Sequence, residues 1–441
     1  MHGIILPSPL TESLNKVRGD RHKIRLAIKT LNMGSYYPPM FKVFTVNRQD
    51  LMGGIRECLT RLPPPYESHY GVVPPAPPES GVYLDDITAL HSQAMVALGQ
   101  IAEWARASTD PYLISRTLRS REAVSSSAME GTHSTLDELL IVDEDDEQAT
   151  QETRQVRDYA LALEKFLPLA AASGRTVFTL DTVLALHREV MKHDTSYIGT
   201  PGALRTTVVW IGGSRHNIAY STYNPPPPDL VPQCLQNTLD YMTGDGMQMM
   251  TQSLITRVAI AHAHFEAVHP FRDGNGRVGR LLIPMMLAAE KEPPLYLSSY
   301  IEAYKQDYYD ALKQAQQKLN WLPLIAFMSQ AIIGTVQEFK AVRKATETLK
   351  AEWLGRRSYR KNSAALRALD VLIDSPVITA TRLGKTLNIS APATKSALEQ
   401  LQAAGILVER TGYARNRIFS APEVMAIINR PFGERELDSP A

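Results

Sequence analysis
The residues that could do chemistry lie together in His269-Pro270-Phe271-Arg272-Asp273-Gly274-Asn275-Gly276-Arg277-Val278-Gly279-Arg280. Gly274 and Gly276 permit backbone angles that expose consecutive amides. Exposed amides at the start of a helix, with the positive end of the helix dipole behind them, make an anion site. Arg277 and Arg280 are three residues apart, so they share one face of that helix's first turn and can each offer phosphate several donors. Asp273 supplies the hard oxygen that a magnesium ion needs beside phosphates. His269 has an ordinary pKa near neutrality, which suits proton abstraction from a hydroxyl. A histidine before a proline, or Gly-Asn-Gly, is alone only a structural feature. Base, metal ligand, amide loop and paired arginines in one short stretch indicate phosphate chemistry with a general base.

Such a set needs a helix, a loop and a second helix. Residues 254–268 have the apolar content of the first, Pro270 and the glycines break it, and residues 281–289 continue the second. Helical spacing is also predicted over 84–191 and 230–354. Residues 206–210 and 218–223 read as two short extended segments around Gly212-Gly213, a β-hairpin closed by the prolines 225–228. Beyond Arg356, three short helices (364–373, 381–387, 391–404) precede strand-like pieces at 406–409 and 417–419, the order of a winged helix-turn-helix. The expected fold is mainly α: a helical bundle with a β-hairpin flap and a small C-terminal winged helix-turn-helix.

At 441 residues the chain should hold two or three domains. The boundaries expected are a basic extension over 1–62, a helical region over 63–195, a core over 196–345 carrying flap and loop, and a linker with the winged helix over 346–441. The prolines at 63–65 and in 74–78 mark the clearest boundary, although such a segment could also lie in a fixed groove. The acidic run 143–147 reads as solvated. With Lys+Arg 47 against Asp+Glu 46, the formal charge is +1, so the whole chain is no electrostatic trap for nucleic acid. Cys58 and Cys234 lack metal-ligand spacing and fit a reducing compartment. No uninterrupted apolar run reaches membrane-helix length and no signal peptide is visible, so a cytoplasmic location without a membrane partner is expected.

The segment from His269 to Arg280 closely resembles the signature of the Fic family, HPFx(D/E)GNGRxxR, and matches it throughout. Ala261-His262-Ala263-His264-Phe265-Glu266 and Pro201-Gly202-Ala203-Leu204-Arg205 also look like the family, and the likeness spans about residues 63–335. The resemblance implies transfer of AMP from ATP to a Ser, Thr or Tyr hydroxyl of a target protein, with self-modification as a variant. It would make His269 the catalytic base and give Asp273 a magnesium ion. Gly274, Asn275 and Gly276 would become the anion hole, with Arg277 and Arg280 toward the outer phosphates. Glycine at 276, where the related Doc-type kinases carry lysine, speaks against phosphorylation. The flap Thr206-Thr207-Val208-Val209-Trp210 would align the target's main chain by strand addition.

Ser126-Ser127-Ala128-Met129-Glu130-Gly131 resembles the family's inhibitory motif (S/T)xxxE(G/N). By that likeness Glu130 pairs with Arg280, steadied by Ser126 and followed by Gly131, and misaligns ATP. Some members use the same glutamate to remove AMP, so the reverse reaction stays in view. Where relatives carry asparagine near the adenine, alignment places Tyr304; Tyr308 and Tyr309 read as packing residues. In the tail, residues 390–400 would form the recognition helix, carrying Lys395 and Ser396. The wing would present Arg410, Arg415 and Arg417, with Arg356, Arg357, Arg360 and Lys361 nearby, for DNA or protein docking. The competing class is a DNA-binding regulator that senses nucleotide; an intact His269 favours the enzyme, since a sensor needs no base. A second copy of the chain is a further candidate partner.

Overall fold
The computed structural model describes residues 51–107, 115–144, 149–213, 217–244, 252–412 and 417–434. The basic N-terminal stretch, residues 145–147 of the acidic run and Arg415 lie outside them. The first described elements are α1 (Gly53–Glu57) and the antiparallel pair β1 (Leu59–Arg61) and β2 (Tyr70–Val72). Next come α2 (Thr88–Ala107), α3 (Ser115–Met129), α4 (Leu136–Val142), α5 (Gln151–Ser173) and α6 (Leu180–Val190). The central helices are α7 (Val231–Thr243), α8 (Leu254–Val268) and α9 (Asn275–Ala289). They are followed by α10 (Ser298–Ala303), α11 (Lys305–Lys318) and α12 (Leu322–Gly355). The chain is mainly α, as expected.

Local sequence explains the helix starts. Ser253 accepts from the Thr256 amide at 3.1 Å and opens α8. Thr150 does the same for α5 through Thr153 at 3.1 Å. At α4, Thr135 and Glu138 bond reciprocally at 3.1 and 2.8 Å, a capping box. Every residue of α8 after Leu254 is buried, so this helix is the axis on which the motif loop is built.

The C-terminal elements are α13 (Ala364–Asp374), β3 (Val377–Thr379), α14 (Ala380–Leu387), α15 (Ala391–Ala403), β4 (Val408–Glu409), β5 (Ile418–Ser420) and α16 (Pro422–Asn429). The strands form one antiparallel sheet in the order β3-β5-β4. Both β3 and α16 go beyond the sequence expectation. Their apolar cluster includes Leu369, Leu372, Leu383, Leu398, Leu401 and Ile418, and it takes in Leu349 and Trp353 of α12 and Leu136 and Leu140 of α4. Trp353 is fully buried and donates from Nε1 to Glu423 at 2.8 Å. Trp353→Ala should cost about 3–5 kcal/mol; a denaturant midpoint within error of the parent would contradict this packing.

Four expectations change. The prolines at 74–78, read as a boundary, pack against the chain, which is the alternative left open for them: the Pro75 carbonyl lies 3.2 Å from His264 Nε2 on α8, and Gln252 donates to Pro78 at 2.8 Å. The segment occupies a fixed groove. Glu144 is not solvated, because its side chain is 2% exposed and takes hydrogen bonds from Thr379 and Arg382. Among the described residues the hairpin reduces to one bridge, Ile211 with Tyr223, since Asn217 accepts from the Ala219 amide and turns residues 218–220 into a 3-10 helix. Finally, α12 is long and apolar enough by length and composition to cross a membrane. Its Leu324, Ile325, Phe327 and Met328 lie in the main core, which accounts for that apolarity.

Candidate active site
The motif loop starts where α8 stops. His269 adopts a left-handed conformation (φ 48°), while its amide still bonds to the Phe265 carbonyl at 3.0 Å. For a residue with a Cβ this conformation is strained and needs outside support. Arg205 gives it. Its guanidinium donates to the carbonyls of His269 (2.7 Å), Pro226 (2.6 Å), Thr207 (3.2 Å) and Val268 (3.3 Å). One buried cation thus ties the carbonyl end of α8 to the base of the flap.

The turn itself is braced twice. Asn275 accepts from the Phe271 amide at 2.8 Å and donates to the Phe271 carbonyl at 2.9 Å. Phe271 stacks on His187 of α6, ring centroids 3.8 Å apart and planes 8° from parallel. His187 Nδ1 accepts from the Gly202 amide at 2.8 Å, so its Nε2 carries the proton and donates to the Asp273 carbonyl at 3.0 Å. Burial lowers the His187 pKa to about 4, and the ring serves as a neutral strut. Gly274 has φ 78°, and a Cβ there would strike Met191. The turn therefore requires glycine, and α9 starts immediately after it.

Arg277 and Arg280 are both 3% exposed. Arg277 uses one nitrogen toward Met191 Sδ (2.9 Å) and Asp194 (3.4 Å), while its Nε and Nη1 are buried without partners. Buried donors left unsatisfied at a helix start are where an anion gains most. Arg280 is fully engaged: Nε donates to Ser126 Oγ at 2.9 Å, and Nη2 donates to the Ser126 carbonyl at 2.9 Å and to Glu130 Oε1 at 2.6 Å.

Glu130 lies just past α3, where Gly131 (φ 85°) reverses the chain. Its carboxylate fills the space beside Gly276, where an added Cβ would collide with Oε1. Burial alone would raise this carboxyl, but the Arg280 ion pair, with Arg277 and His269 adding smaller contributions, holds it below the usual range. The Arg280 pKa moves up in return, its burial outweighed by Glu130.

His269 is neutral at physiological pH, because burial, with Arg205 nearby, lowers it to about 4. Its Nδ1 is buried, which leaves Nε2 as the nitrogen able to meet a substrate. Asp273 is exposed, with Oδ1 accepting from the Gly274 amide at 2.7 Å. Among the described residues no cluster of three or more His, Cys, Asp or Glu could cage a metal. A single exposed carboxylate fits magnesium, which takes most of its ligands from phosphate oxygens and water.

Residues 177–287 match the family model described as the Fic/DOC family, and residues 88–166 match its N-terminal companion. Two stretches of the chain are thus similar to the Fic/DOC family. The protein adenylyltransferase fic-1 of Caenorhabditis elegans is 27% identical over 168 residues, which is 38% of this chain and 30% of that protein. A probable protein adenylyltransferase of Aquifex aeolicus is 30% identical over 95 residues, 22% of this chain and 27% of that one. This chain thus spans about 30% of the length of these curated relatives. A crystal structure of a Fic family protein from Desulfovibrio desulfuricans G20 aligns with TM-score 0.48 and 22% identity, covering 76% of this chain and 96% of that one.

The structure gathers His269, Asp273, Gly274, Asn275, Gly276, Arg277 and Arg280 of the Fic motif with Ser126, Glu130 and Gly131 at one place. Tyr304 is not part of it. That ring packs on Tyr300 (4.5 Å between centroids) and lines a cleft with Gln330, Gln337, Arg430 and Phe432. Tyr308 is buried as expected, bonded to His262 at 2.7 Å. Tyr309 departs from a packing role: it is 42% exposed, and partial burial together with the nearby Glu130 raises its pKa against the pull of Arg280. Lys305 stands between Tyr309 and the brake, over that ring and donating to the Met129 carbonyl at 3.2 Å. In the flap, Thr206 and Thr207 are exposed and Val208 and Val209 half-buried, with no strand paired to them among the described residues. Trp210 meets the Tyr66 ring edge-on at 5.7 Å.

Proposed function
We propose that this chain is a protein adenylyltransferase that moves AMP from ATP to a hydroxyl side chain of a target protein and is held in check by Glu130. The observation that carries this reading is the pair of arginines at the start of α9, one with buried unsatisfied donors and the other already bonded to a carboxylate. Arg277 would receive a phosphate of ATP directly; Arg280 would do so only after Glu130 leaves. The first-turn amides of α9 and the Gly274 turn complete an anion cradle.

Within that cradle His269 Nε2 takes the hydroxyl proton as the oxygen attacks the α-phosphorus, the new O–P bond forms, and the bond to pyrophosphate breaks. Asp273 would hold magnesium, which when bound neutralises phosphate charge. The unpaired edge of Thr206–Val209 supports a flap that receives an extended segment of the target. A target segment lying along it would pass Arg205's bond to the Thr207 carbonyl, and so be referenced to the same cation that fixes His269.

We read the C-terminal elements as a winged helix-turn-helix used for protein docking. Four of the charges expected to meet a DNA backbone are paired within the chain. Arg410 pairs with Asp137 (2.7 Å), Arg417 with Glu409 (3.3 Å), Lys395 with Glu399 (3.8 Å), and Arg356 with Glu423 (2.5 Å). Binding to a DNA duplex with a steep salt dependence would reverse this assignment. The catalytic reading is tested by mass spectrometry of the Glu130→Gly chain after incubation with ATP and magnesium. A covalent AMP adduct on the chain or on a co-incubated protein is expected; a phosphoryl adduct in its place would point to a kinase.

A further inference from the structure
Two buried polar atoms without partners lie behind the catalytic histidine. His269 Nδ1 has no hydrogen-bond partner, and neither has Glu266 Oε1. The second carboxylate oxygen of Glu266 lies 3.9 Å from His269 Nδ1, one helical turn back along α8. The Glu266 side chain is 10% exposed, and Gly279 of α9 leaves the room it occupies, since a Cβ there would collide with Oε1. A buried carboxyl without a full set of partners is costly, and it persists where something else is gained.

We propose that Glu266 is a positioning residue for His269: its carboxylate accepts the Nδ1 proton, fixes the tautomer that leaves Nε2 free, and steadies the imidazolium formed when Nε2 takes the substrate's proton. This rests on the transferase reading for its purpose, but the pairing itself is independent of it. A rotation of the carboxylate that shortens the gap by about 1 Å makes the hydrogen bond. In the step, the hydroxyl proton goes to Nε2, Nδ1 keeps its own, and the positive ring faces a negative carboxylate.

The surroundings link this pairing to the brake. Burial raises the Glu266 pKa to about 7, Arg280 lowers it and Glu130 raises it. Tyr308 and Tyr309 of α11 also lie within its field. Once Glu130 withdraws, one negative neighbour is gone and Arg280 loses its partner, so both changes favour ionised Glu266. The main-chain carbonyl of Glu266 also faces the ring and is the alternative acceptor for Nδ1.

The test uses the full chain carrying Glu130→Gly, with and without Glu266→Gln, labelled with 15N-histidine and examined at pH 8; His269→Asn identifies the resonance. The unbraked parent should show the proton on Nδ1. Glu266→Gln, whose amide can donate to Nδ1, should shift the proton to Nε2 and lower kcat roughly 10- to 100-fold, with the KM for ATP within about 2-fold. A parent with the proton on Nε2, or a tautomer unchanged by Glu266→Gln, overturns the proposal and leaves the main-chain carbonyl as the orienting group. Loss of ATP affinity without a tautomer change overturns it equally, since that marks a packing role. A parent with the expected tautomer that transfers no AMP would support the pairing and sink the transferase reading.

Discussion
Replacing Glu130 with glycine should raise AMP transfer roughly 10- to 100-fold, the range of a coupling worth about 1–3 kcal/mol. Glu130 holds Arg280 at 2.6 Å and fills the space beside Gly276, so it competes with the nucleotide for both charge and volume. Removing the side chain frees a guanidinium that is still aimed by Ser126 through Nε and Nη2. Those two bonds explain why Arg280 should stay in place rather than collapse. Glu130→Gln is expected to relieve the brake only in part, since it keeps the volume and loses the charge. Acid should act in the same direction as glycine, with a defined sign. Because the folded pKa of Glu130 is depressed, the ion pair is intact above the ordinary glutamate value and weakens only as pH falls through the lower folded value. Around neutrality the brake is therefore insensitive to pH. Unchanged labelling of target and chain after Glu130→Gly would remove the brake from this account.

His269→Ala in the unbraked chain should lower kcat by about 10²- to 10⁴-fold while ATP affinity changes by less than about 2-fold. The phosphate cradle is made by Arg277, Arg280 and the α9 amides, and none of these depends on the imidazole. A pKa of about 4 means that the ring is already neutral from mildly acidic pH upward, so the rate should not fall with histidine protonation between pH 6 and 8. Single-turnover labelling with enzyme in excess over labelled ATP, followed across enzyme concentrations, separates the two quantities. Label retained at near-parental rate would transfer the role of base to another group.

The helix-loop-helix around the motif is legible in the chain because its determinants are local: Ser253 at the cap, Pro270 after the last turn, Gly274 at a positive φ. The Glu130–Arg280 pair is legible only through resemblance, not through spacing, since 150 residues separate the partners. The supports are not legible. Arg205 lies in a stretch distinguished only by its likeness, and His187 in an ordinary helix; each acquires a role by reaching carbonyls that the fold brings near it. Tyr304 falls at the break between α10 and α11, which alignment by counting residues does not register, and Tyr309, five residues on, is the tyrosine whose pKa feels Glu130. Composition likewise counts the arginines of the tail without seeing their carboxylate partners.

Helix α4 begins only six residues after Glu130, and at seven residues it is too short to persist without something to lean on. Its Leu136 and Leu140 rest among the C-terminal side chains, and Asp137 and Glu144 reach Arg410 and Arg382 of the same region. A fragment trimmed after Gly355 would therefore be no smaller copy of the same protein. It would lose the anchorage of the segment that leashes the carboxylate, so a rate measured on such a fragment would describe a brake on a longer tether.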